Sequence, residues 1–147
     1  MRVAIVYATR HKGNTEKIAK AMAQTIQADL FKATSIDPGK LASYDLIGFG
    51  SGIYYGKHHK ALIELANEMP HSKGTKAFIF STSGGGDTKK HSTLKSALNA
   101  RGYETVKEFS CKGHTTYCLL KLIGGLNKGR PGKEDVDNAR KFILGLI

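Results

Sequence analysis

The chain has 147 residues and a mass of 15.9 kDa, the size of one ordinary domain that buries its own core. Hydrophobic residues make up 40%, no apolar run approaches the ~18 residues of a membrane span, and Cys111 and Cys118 form neither a disulfide framework nor a C-x-x-C pair. Membrane spans, zinc ribbons and disulfide-rich secreted folds are thereby excluded, and a reducing cytoplasm is the expected compartment.

The first residues, MRVAIVYATR, read as a strand rather than a leader, with Val3 to Tyr7 the near-continuous apolar run of a strand buried on both faces. A loop from Thr9 to Thr15 follows, and residues 15–26 switch to a helical period carried by Ile18, Ala19, Met22, Ala23 and Ile26. Residues 28–33 predict a short second strand and Asp37-Pro38-Gly39 a turn. Leu46 to Phe49 form a third strand running into Gly50-Ser51-Gly52. A helix is expected from about Lys57 to Met69, stopped by Pro70. Ala77 to Phe80 make the fourth strand. A helix over about 87–101 ends with Gly102 in the position after its C-cap. The fifth strand, Glu104 to Cys111, carries Glu104, Lys107 and Glu108 and so belongs at a sheet edge. Residues 121–126 are a candidate helical turn, and Glu134 to Leu146 is expected to form the last helix. Strands alternating with helices in one uninterrupted domain, 1–147, make an open parallel sheet with helices on both faces.

The unusual loops all follow strand ends, where ligands bind in such sheets. In the first, Gly13 lets the backbone approach a ligand, Asn14 and Thr15 open a helix whose free N–H groups face an anion, and Thr9 and Thr15 add hydroxyls. Simple helix capping by Asn14 and Thr15 is the plainer alternative. Neither a Walker A loop nor a G-x-G-x-x-G fingerprint is present. In the second, Ser51-Gly52-Ile53-Tyr54-Tyr55-Gly56, one tyrosine is expected to be free to stack on a flat ring ligand while the other packs on the following helix. In the third, Ser81-Thr82-Ser83-Gly84-Gly85-Gly86, the absence of side chains lets backbone N–H groups reach a ligand edge.

Net charge is +11, spread along the whole length rather than gathered in a tail. Such a surface attracts an acidic protein or an anionic membrane. No helix-turn-helix or RNA-binding signature accompanies it, so a specific nucleic-acid role is not expected. Lys57, His58, His59 and Lys60 read as a basic run at a helix start, where positive charge is disfavoured, which makes it a candidate docking patch. His91 and His114 lack companions at ligand spacing and read as ordinary; the two cysteines read as small buried hydrophobes.

T-R-H-K-G-N-T at 9–15, followed by Glu16-Lys17-Ile18-Ala19, together with G-S-G-I-Y-Y-G at 50–56 and S-T-S-G-G-G at 81–86, resembles the flavodoxin family over essentially the whole chain. The resemblance implies a three-layer α/β sandwich with a five-stranded parallel sheet of order 2-1-3-4-5, non-covalent FMN and electron transfer. By that resemblance Thr9, Arg10, His11, Lys12, Gly13, Asn14 and Thr15 would hold the FMN phosphate. Ser51, Gly52, Ile53, Tyr54, Tyr55 and Gly56 would lie against or beside the ring system. Ser81, Thr82, Ser83, Gly84 and Gly85 would line its other edge. Gly56 matches the family glycine whose peptide turns over toward the reduced flavin. Arg10, Lys12 and Lys57 would favour the reduced flavin's negative charge, and the partner would be an acidic redox protein. The stretch GSGIYYGKHH also resembles the flavodoxin-like protoporphyrinogen oxidase, so a flavin oxidoreductase acting on quinone or protoporphyrinogen is one alternative. An interaction domain that has lost FMN is the other.

Overall fold

The computed structural model describes residues 1–9, 13–83, 88–112 and 131–147. The expectations placed on Arg10, His11, Lys12, Gly84, Gly85, Gly86, His114, Cys118 and the 121–126 turn lie outside the described residues.

Strand β1 (Val3–Ala8) leads into α1 (Asn14–Ile26), then β2 (Asp29–Lys32), a short 3-10 helix (Pro38–Ser43) and β3 (Leu46–Tyr54). A two-residue strand, β4 (Lys57–His58), precedes α2 (Lys60–Glu68), β5 (Lys76–Ser83), a 3-10 turn (Lys89–His91) and α3 (Ser92–Ala100). Strand β6 (Glu104–Lys112) and α4 (Lys133–Leu144) complete the described elements. The sheet order is β2-β1-β3-β5-β6, every neighbouring pair in it parallel, with β4 attached antiparallel to β3. Counting parallel strands alone, this is the 2-1-3-4-5 order that the family resemblance implies, and β6 sits at an edge as its charges require.

Side-chain alternation sorts the strands' residues into two cores. Val3, Ile5 and Tyr7 face Ile18, Met22, Ala139 and Ile143 of α1 and α4. Ala4, Val6 and Ala8 face the other way, into a core with Leu62, Leu65, Leu94 and Leu98 of α2 and α3. Burial on both faces explains why β1 and β5 read as unbroken apolar runs. In β3, Gly48 and Gly50 leave room for the rings of Phe78 and Phe80; a Cβ at either glycine would run into those rings.

The principal departure from the sequence reading is at residues 50–60. Strand β3 does not stop near Phe49 but continues to Tyr54, and the chain then reverses in a hairpin with Ile53 opposite His58 and Tyr54 opposite Lys57. The two turn residues, Tyr55 (φ 53°) and Gly56 (φ 80°), both have positive φ, the signature of the tight turn whose twist suits a two-residue hairpin. The helix therefore starts at Lys60, not Lys57, with His59 as its N-cap: the His59 Nδ1 accepts from the Ala61 N–H at 3.0 Å. The run Lys57 to Lys60 is thus not one basic face at a helix start. His58 is 2% exposed and Lys57 points to solvent. The pairing that decides this is tertiary, because a two-residue strand has no periodicity to read.

Candidate functional site

The C-terminal ends of β1, β3 and β5 lie side by side, in register Ala8–Ser51–Ser81 across the three strands. Strand order reverses at β1, whose neighbours β2 and β3 both follow it in sequence, and that reversal opens the crevice at this end of the sheet.

On the α1 side of the crevice, Gly13 is the N-cap of α1 with φ 61°, and it brings no side chain to satisfy the first helical N–H groups. Glu16 in the first turn pairs outward with Lys20 at 2.8 Å, which holds its carboxyl below the usual carboxylate range. Thr15 is buried, and its hydroxyl meets the Thr82 hydroxyl of β5 at 2.8 Å, so the first and third loops are tied by two of the sequence-predicted residues. A hydroxyl pair leaves one O–H proton over, available to a third acceptor. Removing either partner strands a buried hydroxyl. Thr82→Val is expected to destabilise the fold by about 1–2 kcal/mol in urea unfolding, and the Thr15→Val/Thr82→Val pair by less than the sum of the singles. Strict additivity would mean the two hydroxyls do not interact.

In the middle of the crevice, the two tyrosines have separate fates. Tyr54 is half-buried, its hydroxyl end lying where a Gly52 side chain would be, and its ring stands edge-on to His59 with centroids 5.5 Å apart. Tyr55 is 98% exposed at the hairpin tip. Between hairpin and helices runs a groove of about 510 Å³ lined by Tyr54, Tyr55, Lys57, Lys60, Ile63 and Thr93.

Beneath the loops, on the α2/α3 side, a row of serines crosses the sheet at one level. Ser51 donates to Gly52 O at 2.6 Å and accepts from the His59 N–H at 2.8 Å. Ser81 lies 2.7 Å from His91 Nε2 and 3.0 Å from Ser110 Oγ. These hydroxyls therefore brace the loops from below, whereas Thr9, Ser83 and Tyr55 stand at the strand ends and the hairpin tip.

The sequence reading missed a constellation that lies under the hairpin. His58 Nε2 donates to Phe80 O at 3.1 Å. The His58 and His91 rings are 4.8 Å apart. His91 Nδ1 donates to Glu108 Oε1 at 3.0 Å, and Lys95 Nζ reaches Glu108 Oε2 at 3.2 Å. Burial, reinforced by the charge of His91, pushes the His58 imidazole down to about 3. His91 is therefore not an ordinary histidine, and Glu108 is more than an edge charge. Positions 58, 81, 91, 108 and 110 have no common spacing; only the parallel register, which puts Ser81 beside Ser110, brings them together. Cys111 at the end of β6 is buried, as its type predicts.

A family model described as a flavodoxin domain matches residues 4–123. The chain belongs to the flavodoxin family. This flavodoxin is similar to an uncharacterized protein of Methanocaldococcus jannaschii, MJ0298, at 42% identity over all of this chain and 99% of that one. Its fold is that of oxidised Flavodoxin 2 from Bacillus cereus, with TM-score 0.70, 20% identity, and 98% and 96% of the two chains covered. It is likewise that of the Streptococcus pneumonia TIGR4 flavodoxin, with TM-score 0.72, 16% identity, and 99% and 97% covered. Fold and family together mark a flavodoxin-like electron-transfer protein, one of a family that acts as redox partners to other proteins.

Proposed function

We propose that the chain is an FMN-binding electron carrier. The observation that carries this reading is the α1 N-terminus, opened by Gly13 without a side-chain cap, at the same crevice as the exposed Tyr55 hairpin and the end of β5. The first helical N–H groups and the spare hydroxyl proton of the Thr15–Thr82 pair suit a phosphate. Tyr55 offers a flat apolar face to a ring system, and the end of β5 at Ser83 offers the opposite edge. Thr9, Asn14, Ile53, Gly56, Gly84 and Gly85 complete the site in this reading, with Arg10, His11 and Lys12 on the phosphate. FMN would supply the redox chemistry; the protein's part is to hold it, shield it and bias its charge.

The lysines bear on the partner. Lys57 and Lys60 line the groove beside Tyr55, where Glu64 pairs with Lys60 at 3.7 Å and leaves Lys57 as the groove's net positive charge, and Lys89 and Lys90 are exposed at the start of the next turn. A cationic rim around the cofactor edge favours an acidic redox protein, with association that slows as salt rises. The same positive charge, with Lys57 nearest the hairpin, favours the reduced flavin.

The test is an FMN titration of purified apo-protein, read by flavin fluorescence and the visible spectrum. One-to-one binding with a perturbed spectrum is expected, and Gly13→Val should weaken it. A folded protein that leaves the flavin spectrum unchanged would retire the carrier reading in favour of an interaction domain. With FMN bound, Lys57→Gln should make the second one-electron potential more negative; an unmoved potential would remove Lys57 from the charge argument.

A further inference from the structure

We infer that His58 and His91 form a latch that fastens the Tyr55 hairpin and the Lys89–His91 turn to the central sheet at the edge of the crevice, with His91 its proton-accepting member. This rests on the FMN reading above for what the loops hold, but the latch itself is a property of the protein alone.

Each histidine closes one loop. His58 is the last residue of the Tyr55 hairpin, and His91 ends the segment that follows β5. Both are buried, at 2% and 1% exposure, and their rings touch. Both are also bonded to β5 at adjacent residues, His58 to the Phe80 carbonyl and His91 to the Ser81 hydroxyl. The Tyr55 hairpin and the Lys89–His91 turn are thereby fastened to one point of the central sheet and to each other.

The partners dictate the protonation states. A carbonyl only accepts, so His58 carries its proton on Nε2. Its Nδ1 is then a bare, buried acceptor with no hydrogen-bond partner among the described residues. That orphan atom costs stability, which a residue kept only for packing would not need to do. His91 differs. Its Nδ1 donates to the Glu108 carboxylate, and its Nε2 faces a hydroxyl that works either way. When His91 is neutral, Ser81 donates to it. When His91 takes a second proton, Ser81 accepts and turns its own proton to Ser110, 3.0 Å away. No bond in the latch is lost in either state.

Among the described residues, the charged groups around His91 come from each element packed on it. Glu108 of β6 attracts the second proton. Lys95 of α3 offsets part of that attraction from the far oxygen of the same carboxylate. His58 of β4 stays neutral, Lys57 beside it points to solvent, and β5 presents only Ser81. Protonated His91 therefore places one buried positive charge beneath the loops, where an anionic ligand benefits.

The experiment has an arm that needs no flavin. In nitrogen-15 spectra of apo-protein imidazoles between pH 8.5 and 4.5, His58 should remain neutral with its proton on Nε2. His91 should pass from the Nδ1–H form to the doubly protonated form. A His58 with its proton on Nδ1, or a His91 that never gains a second proton in this range, overturns the assignment. In the same apo-protein, His58→Ala should raise amide exchange at Tyr55 and Gly56 about tenfold, and His58→Gln, which can still donate to Phe80 O, should restore it. Unchanged exchange in a folded His58→Ala protein defeats the latch. The second arm is FMN affinity. His58→Ala should weaken it about tenfold, with rescue by Gln. The wild type should bind about threefold more tightly at pH 5.5 than at pH 8, and His91→Gln should match it at pH 8 but lack that tightening. Identical pH profiles for wild type and His91→Gln would remove His91 as the proton-accepting member. If the wild type binds no FMN, the carrier reading fails, and the apo-protein arm still decides the latch.

Discussion

Gly102→Ala should destabilise the protein by about 3 kcal/mol while leaving its crevice intact. Gly102 follows the C-cap of α3 with φ 87°, a conformation that costs a residue with a Cβ about 1–2 kcal/mol. The added Cβ would also land on the main-chain carbonyl of Ser72, and that segment cannot move freely. Its N–H donates to Arg101 O at 2.8 Å, and the Gly74 N–H donates to Gly102 O at 2.9 Å. Tyr103 Oη adds a third tie, to Pro70 O at 2.7 Å. Side-chain repacking, which softens many core substitutions, is therefore of little help. All of this lies where β5 and β6 begin, at the opposite end of the sheet from the strand ends that carry the site. Urea unfolding should show the loss as an earlier midpoint with an unchanged slope, and the melting temperature should fall by about 10 °C. On the carrier reading proposed above, FMN affinity at 25 °C should stay within about twofold, since the substitution leaves the crevice's own residues in place. A loss under ~1 kcal/mol would show that the 70–74 segment yields more easily than its hydrogen bonds imply.

Acid should weaken the wild-type protein through His58 in particular. In the unfolded chain the imidazole titrates near its ordinary 6.5, whereas in the folded protein burial and His91 hold it down to about 3. Above pH 6.5 both states are neutral at this group and its full stability is present. Between pH 6.5 and about 3 the unfolded chain binds a proton that the folded one refuses, so stability falls as pH falls. At pH 4.5 the loss is on the order of 2.5 kcal/mol, a large part of the margin of a small domain. His58→Gln cannot take the proton and keeps the donor to Phe80 O. The variant should match or fall slightly below the wild type at pH 7.5 and exceed it at pH 4.5. Parallel pH profiles for the two proteins would mean that the folded state admits a proton at His58 after all.

The strand order came from the family resemblance, whereas the strand–helix alternation, the two-faced burial of β1, the edge position of β6 and the positions of α1 and α4 were legible from period, charge and loop chemistry alone. Those signals are local. A strand buried on both sides is apolar without a break, and a helix packed on one face repeats its apolar residues every three to four positions. The crevice was legible for the same reason. Gly13, the glycines of β3 and the tyrosine hairpin each mark a loop where the backbone does something ordinary side chains do not allow. The hairpin itself carried one usable signal, Gly56 at the second turn position, but Lys57 to His59 resembled a helix start because the helix that follows is strongly periodic. His59 as an N-cap was hidden as well, since the residue types that signal a cap are short hydroxyls, amides and carboxylates.

What the sequence determined by itself was the kind of layer each segment enters and which loops follow the strand ends, the edge at which open α/β sheets bind ligands. Which side chains meet beneath that edge was decided by tertiary structure. His58 and His91 are neighbours because a two-residue strand folds back on β3 and the turn after β5 returns to the same point. Ser81 and Ser110 are neighbours because β5 and β6 run parallel in one register. A contact set by strand register between distant segments leaves no spacing in the chain, and a buried histidine is spelled with the same letter as an exposed one.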